Sequence, residues 1–279
     1  RGINPKTDAK LMFFYKKLIK KLHPDLVITY TIKPNIYGGL MCRMLRVPYA
    51  VNITGLGTAF QSESAVKKLV TFLYKIALKK AKVVFFENIG NKQTFLDLHI
   101  LKEKQICVLN GAGVNLAEYP FCEYPSENET RFLFIGRVMK EKGVDELFEA
   151  AERIKKQHSD VFFDVVGPLE DDYKSKLEEL VQKGVIVYHG YQQDVKPFIE
   201  KCHCFVLPSY HEGMANTLLE AGAMGRPLIT SNIHGCLEAV EEGRNGYLAE
   251  AKNAESLLGQ LEKFLGLSCE ERKRMGQAS

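Results

Sequence analysis

Residues 204–230 read CFVLPSYHEGMANTLLEAGAMGRPLIT. The run CFVLP is continuously apolar and bounded by turn residues, as a strand buried on both faces should be. A loop with one glycine follows, then a helical pattern over 216–224, then Gly-Arg-Pro and a second apolar strand over 227–230. Strand, loop, helix and strand in that order form one unit of a parallel sheet covered on both sides. The same alternation extends in both directions. Further strands are expected at 131–135, 161–166, 185–188 and 246–248, with helices at 144–157, 171–183, 195–201 and 254–265. Towards the N-terminus, strands at 25–30, 49–53, 83–87 and 105–109 alternate with helices at 8–22, 35–45, 62–80 and 91–98. The stretch between the two series, YPFCEYPSENET over 119–130, is rich in Pro, Ser, Asn and Glu and reads as a linker. The expected fold is therefore α/β, with two doubly wound Rossmann-like domains at 1–118 and 131–279 facing across a cleft. The first opens directly on a helix and reads as incomplete.

Composition agrees with a globular chain. Of 279 residues 46% are hydrophobic and 26% charged, with 22 Gly, 10 Pro and no Trp. No apolar run approaches the ~20 residues of a membrane-spanning helix, and the N-terminus lacks a signal-peptide pattern, so a cytoplasmic chain is expected. The seven cysteines are odd in number and scattered, and reduced thiols follow. Cys202-His203-Cys204 has metal-like spacing but no second cluster to complete four ligands, and a buried strand-edge pair is the simpler reading. The net charge of +4 is unevenly spread: residues 1–118 hold 19 Lys and Arg against 7 Asp and Glu, and residues 119–279 hold 19 against 27. A basic half beside an acidic one suits a polyanion such as an anionic membrane surface.

In such sheets ligands sit beyond the carboxyl ends of the strands. Two loops there carry chemistry. In IGRVMKEKG, residues 135–143, Gly136 permits a sharp turn at the strand end and Arg137 and Lys142 share one loop before a helix, a diphosphate-sized pair of cations. Solvated loop charges are the plain alternative. In the second loop Gly213 frees the backbone, Asn216 can cap the following helix, and its first N–H groups face an anion. Glu212 lies in this loop and Glu220 on the helix, so the two carboxylates address different parts of one extended ligand.

The E-x7-E pattern from Glu212 to Glu220, GR-x4-KG at 136–143 and GRNGYL at 243–248 together resemble the retaining glycosyltransferases of family 4, which have the GT-B fold. HPDLVITYTIKPNIYGGL, VPYAVNITGLGTAF, FFENIGNKQTF and VLNGAGVN resemble the family's first domain. The resemblance implies that Arg137 and Lys142 bind the donor diphosphate and stabilise its charge on departure. It implies that Glu212 faces the donor sugar and Glu220 the ribose hydroxyls, and that Gly136, Gly213, Met214, Ala215, Asn216, Thr217 and Leu218 line the donor. His189 matches a position whose backbone meets the base. Thr54 and Gly55 fall on the acceptor side, Thr54 where many members have histidine, and Asn115 replaces a usual Asp. The family's opening strand, glycine loop and closing helix have no counterpart in this reading. The chain contains no D-x-D, so no cofactor and no metal ion is expected.

The implied reaction moves a hexose or N-acetylhexosamine from a UDP-sugar, with retention, to a hydroxyl of a lipid-linked saccharide in surface polysaccharide synthesis. The departing phosphate would take the acceptor proton. Helix 8–22 puts Leu11, Phe14, Tyr15, Leu18, Ile19 and Leu22 on one stripe, expected to face the core. Its lysines, with those at 67–82, suit anionic lipid headgroups, so peripheral attachment to the inner face of the cell membrane is expected. Competing readings are a non-hydrolysing UDP-sugar 2-epimerase and a donor-binding fragment without turnover. Nucleic acid is not an expected partner, because no base-stacking motif accompanies the basic half.

Overall fold

A computed structural model describes residues 4–57, 60, 65–126, 129–170 and 173–279. The chain divides into two compact units, Arg1–Ala112 and Gly113–Ser279. In the first, helix α1 (Pro5–Leu22) precedes β1 (Val27–Tyr30), a π-helical turn (Pro34–Gly38) runs into α2 (Gly39–Leu45), and β2 (Tyr49–Ile53), α3 (Ala65–Ala77), β3 (Val84–Phe86), α4 (Ile89–Asp97) and β4 (Ile106–Val108) follow. All four strands are parallel in the order β1-β2-β3-β4. Every residue of β2 is buried, as a central strand covered on both faces must be.

The second unit contains β5 (Thr130–Ile135), α5 (Val144–Gln157), β6 (Val161–Val166), α6 (Lys174–Gln182), β7 (Val187–Tyr188), α7 (Lys196–Lys201), β8 (Cys204–Leu207), α8 (Asn216–Ala223), β9 (Leu228–Ser231), β10 (Gly246–Ala249), α9 (Ala254–Leu265) and α10 (Cys269–Ala278). Its six parallel strands run β10-β9-β8-β5-β6-β7. The chain enters at the middle, winds outward through β6 and β7, returns to the other side of β5 and winds outward again. The strand order thus reverses between β5 and β8, and the ends of these two strands form the switch point at which such sheets bind ligands. An apolar core built from Phe132, Phe134, Phe148, Phe163, Phe205 and Phe264, all at most 1% exposed, holds those strand ends in place.

The α/β architecture agrees with the sequence, and the differences have local causes. Residues 62–64 and 171–172, expected to begin helices, lie outside the described residues. Strand 185–188 shortens to the two residues of β7. Asn88 starts α4 earlier than expected, its side chain accepting from the Asn91 N–H at 2.7 Å. Helix α10 was not anticipated, and it begins on a reciprocal capping box between Ser268 and Glu271. The stripe on α1 does not all face the core: Ile19 is buried and Tyr15 packs beside the core, while Phe14, Leu18 and Leu22 are exposed together with Phe13.

Gly143, between β5 and α5, has φ +71°, and a Cβ there would overlap the Pro208 carbonyl that follows β8. The two loops meet backbone to backbone. Replacing Gly143 by Ala should cost about 3 kcal/mol or more. Gly259→Ala, in open space on α9, should leave stability unchanged or raise it by up to about 1 kcal/mol. Urea unfolding of the two variants measures this contrast.

Candidate functional site

The site is built on the second unit, where β5 and β8 end. Leaving β5, the Gly136 N–H donates to the Val166 carbonyl at 2.9 Å and the chain makes a short helical turn at Lys140–Lys142. Leaving β8, the Tyr210 N–H donates to the Glu141 carbonyl at 2.9 Å, and the Tyr210 hydroxyl lies 2.7 and 2.8 Å from the two Glu146 oxygens at the start of α5. These contacts lock one loop onto the other. Across them Lys142 Nζ approaches Glu212 Oε1 at 2.5 Å, with 21% and 13% of the side chains exposed. Beside this pair the Cys236 thiol is pushed up to about 12, first by burial and then by the Glu212 charge.

Arg137 is turned to a different partner. Its Nη1 donates to Glu170 Oε2 at 2.9 Å, and both side chains are more than a third exposed. Such a pair is worth roughly 0–1 kcal/mol, and the guanidinium has further N–H donors that can meet an anion while Nη1 keeps Glu170.

Helix α8 starts at Asn216, but the capping role expected of that side chain is not found. Ala215 occupies the cap position with no side-chain cap, and Asn216 is the exposed first helical residue. The Ala215 N–H instead donates to the Gly235 carbonyl at 2.8 Å. First-turn amides such as those of Asn216 and Thr217 have no carbonyl within their own helix, and the dipole there favours negative charge. Gly213 and Leu218 are buried and Met214 is half-buried. One turn on, Glu220 is partly buried against the Tyr119 hydroxyl. Burial raises its carboxyl above the ordinary range, and the hydrogen bond from Tyr119 opposes that rise.

His189 follows β7 with its ring turned to the sheet. Its Nε2 lies 2.7 Å from Asp164 Oδ1, an acid that also accepts from Arg131 Nη1 at 3.0 Å, and the ring packs on Phe198. These residues, with Lys201 and His203, line a cavity of about 570 Å³. Thr54 and Gly55 lie in the first unit, just after β2. The structure thus brings Gly136, Arg137, Lys142, Glu212, Gly213 and the start of α8 to one switch point. Glu170, Tyr119 and the Tyr210–Glu146 contact were not read from the sequence. Only the β5–β6 register, which aligns Ile135 with Val166, shows that the loop containing Glu170 must lie beside Arg137.

Among the described residues, no three His, Cys, Asp or Glu side chains are grouped to hold a metal ion, and the cysteines are free. In the Cys-His-Cys run both thiols are buried, Cys202 raised to about 12 by burial. The His203 ring is fully used: Nδ1 accepts from the Arg131 N–H at 3.1 Å and Nε2 bonds the Ser126 carbonyl at 3.0 Å. Burial lowers its pKa below the ordinary histidine value. The unfolded state then takes up the proton first, so this contribution is complete above about pH 6.5 and is lost as pH falls below it. The melting temperature should drop on acidification from pH 7 to pH 5, and the drop should be smaller in His203→Gln.

The family model for glycosyl transferases group 1 matches residues 118–279, and the glycosyl transferase 4-like model matches residues 4–88. The chain is 31% identical, over 95% of its length and 74% of the relative's, to the N,N'-diacetylbacillosaminyl-diphospho-undecaprenol alpha-1,3-N-acetylgalactosaminyltransferase of Campylobacter jejuni. It is 28% identical, over 94% of its length and 71% of the relative's, to the UDP-Gal:alpha-D-GlcNAc-diphosphoundecaprenol alpha-1,3-galactosyltransferase of Escherichia coli. Among solved structures, Anabaena HepE in complex with UDP and glucose superposes with a TM-score of 0.79 at 17% identity, covering 95% of this chain and 74% of that one.

Proposed function

Because the chain belongs to the glycosyl transferases group 1 family and is a glycosyltransferase of GT-B fold, we propose that it moves a hexose or N-acetylhexosamine from a UDP-sugar to a hydroxyl of a lipid-linked saccharide, with retention at the anomeric carbon. The observation that carries this reading is the meeting of Lys142 with Glu212 where the β5 and β8 loops touch, with Arg137 on the same β5 loop. Support for the donor and acceptor classes comes from the relatives, whose names specify UDP-galactose and undecaprenyl-diphosphate-linked sugars.

The chemistry follows from charge. Breaking the bond from sugar C1 to the phosphate oxygen leaves an oxocarbenium-like sugar and an extra negative charge on the diphosphate. Arg137, Lys142 and the first amides of α8 are donors suited to that charge. A diphosphate that draws Lys142 away would release Glu212, whose oxygens can then accept from sugar hydroxyls. Glu220, an acceptor of paired hydrogen bonds, fits vicinal ribose hydroxyls. The acceptor proton passes to the departing phosphate, so the bond made from acceptor oxygen to C1 and the bond broken balance without a further base. In this scheme neither a metal ion nor another cofactor takes part.

The first unit supports attachment to an anionic membrane surface at the inner face of the cell membrane. On α1, Phe13, Phe14 and Leu22 are more than half exposed, and Lys10, Lys17, Lys20 and Lys21 are exposed on the same helix. Among the described residues no helix is long and apolar enough to cross a membrane. Apolar rings beside lysines suit the headgroup boundary, each lysine there contributing about 1 kcal/mol.

In a thermal-shift panel of UDP-, GDP- and ADP-sugars, UDP-sugars should raise the melting temperature most. Arg137→Ala and Lys142→Ala should each weaken donor binding at least ~10-fold, about 1.4 kcal/mol, and unchanged affinity in both would overturn the assignment. Because burial raises the Glu220 carboxyl, donor affinity should begin to fall on acidification at a higher pH than for an ordinary glutamate. Glu220→Gln should flatten that dependence. Sedimentation should recover the protein with anionic vesicles at low salt and not with neutral ones, and Phe13→Ser/Phe14→Ser should weaken this recovery.

A further inference from the structure

We propose that Glu170 is a positioning residue and built-in counter-ion for Arg137, one that limits how tightly the protein holds the nucleoside diphosphate left after transfer. The inference rests on the donor-site reading above and adds to it a residue that none of the sequence motifs contains.

The loop after β6 is fastened to the loop after β5 by backbone hydrogen bonds. The Val138 N–H donates to the Pro168 carbonyl at 2.9 Å and the Glu170 N–H donates back to the Val138 carbonyl at 3.1 Å. Val138 and Leu169 form a parallel bridge. Gly167, at φ +144°, has no room for a Cβ, which would overlap the Gly136 carbonyl. Glu170 is thereby held at a fixed place one residue beyond that bridge. The Arg137 guanidinium, on a long side chain with about 2 kcal/mol of rotamer entropy to lose, meets it at 2.9 Å.

Two consequences follow, of opposite sign. The hydrogen bond selects one arrangement of Arg137 before a ligand arrives, which favours binding. The carboxylate charge cancels much of the field of Arg137, just as Glu212 does for Lys142, which weakens the attraction for a diphosphate. Arg137 and Lys142 thus each rest on a carboxylate, which offsets the charge they offer a diphosphate. For an enzyme that must release a charged product at every turnover, such pairing keeps the product from being held too long.

Glu170→Gln separates the two effects, since it keeps an oxygen that accepts from Arg137 and removes the charge. Isothermal titration with UDP should show about fivefold tighter binding than wild type, with the gain shrinking as salt is raised. The affinity for uridine, read by competition, should not change, because uridine has no phosphate. Glu170→Ala, which loses the positioning oxygen as well, should bind UDP less tightly than Glu170→Gln. Wild-type binding of UDP with an equal or weaker affinity in Glu170→Gln would overturn the counter-ion role alone. A wild-type protein that binds none of UDP, GDP and ADP would overturn the donor-site reading, and this proposal with it.

Discussion

The contact between Gly143 and Pro208 is the constraint on which the site depends. β5 and β8 are neighbours in the sheet but 70 residues apart where their loops carry Lys142 and Glu212, and nothing local in the chain brings those side chains together. Adjacent strand ends do so, provided the two backbones can approach without a side chain between them. The Tyr210 N–H to Glu141 carbonyl bond and the Tyr210 hydroxyl on Glu146 then fasten the approach from its other side. A fixed arrangement of charges at a switch point is what catalysis by preorganised electrostatics requires.

The charges themselves are arranged for exchange. Lys142 and Arg137 are each satisfied by a carboxylate, so neither cation is left without a counter-charge when no ligand is bound. A buried, unpaired cation would be costly. A partly exposed ion pair contributes little to stability, and the Lys142–Glu212 pair can give way to a doubly charged ligand that supplies more hydrogen bonds. Tyr119 does the corresponding work for Glu220, bonding to a carboxylate that burial would otherwise drive towards its neutral form.

Much of this was legible in the sequence, for identifiable reasons. β8 and α8 stood out because a wholly apolar run followed by a helical period has few other readings, and Arg137, Lys142, Glu212 and Glu220 stood in motifs at those positions. Periodicity shows which residues share a face but not what the face meets, which is why Phe14, Leu18 and Leu22 on α1 were expected in the core and are exposed. Helix α10 buries only Met275 and Gly276, too few for a period to show. Glu170 lies 33 residues from Arg137. Its place depends on the pairing of β5 with β6, which is a property of the sheet and not of any local pattern.

The two units differ in the side chains they present. In the second, Arg137 and Lys142 are each paired with an acid, and the first carries a basic helix with exposed aromatic rings. A crystal structure of the protein soaked with UDP tests the central claim most directly. Diphosphate oxygens should lie about 2.7–2.9 Å from the Arg137 guanidinium and the Lys142 ammonium, with the Lys142–Glu212 pair opened. UDP bound elsewhere, with that pair and the Arg137–Glu170 pair both intact, would contradict it.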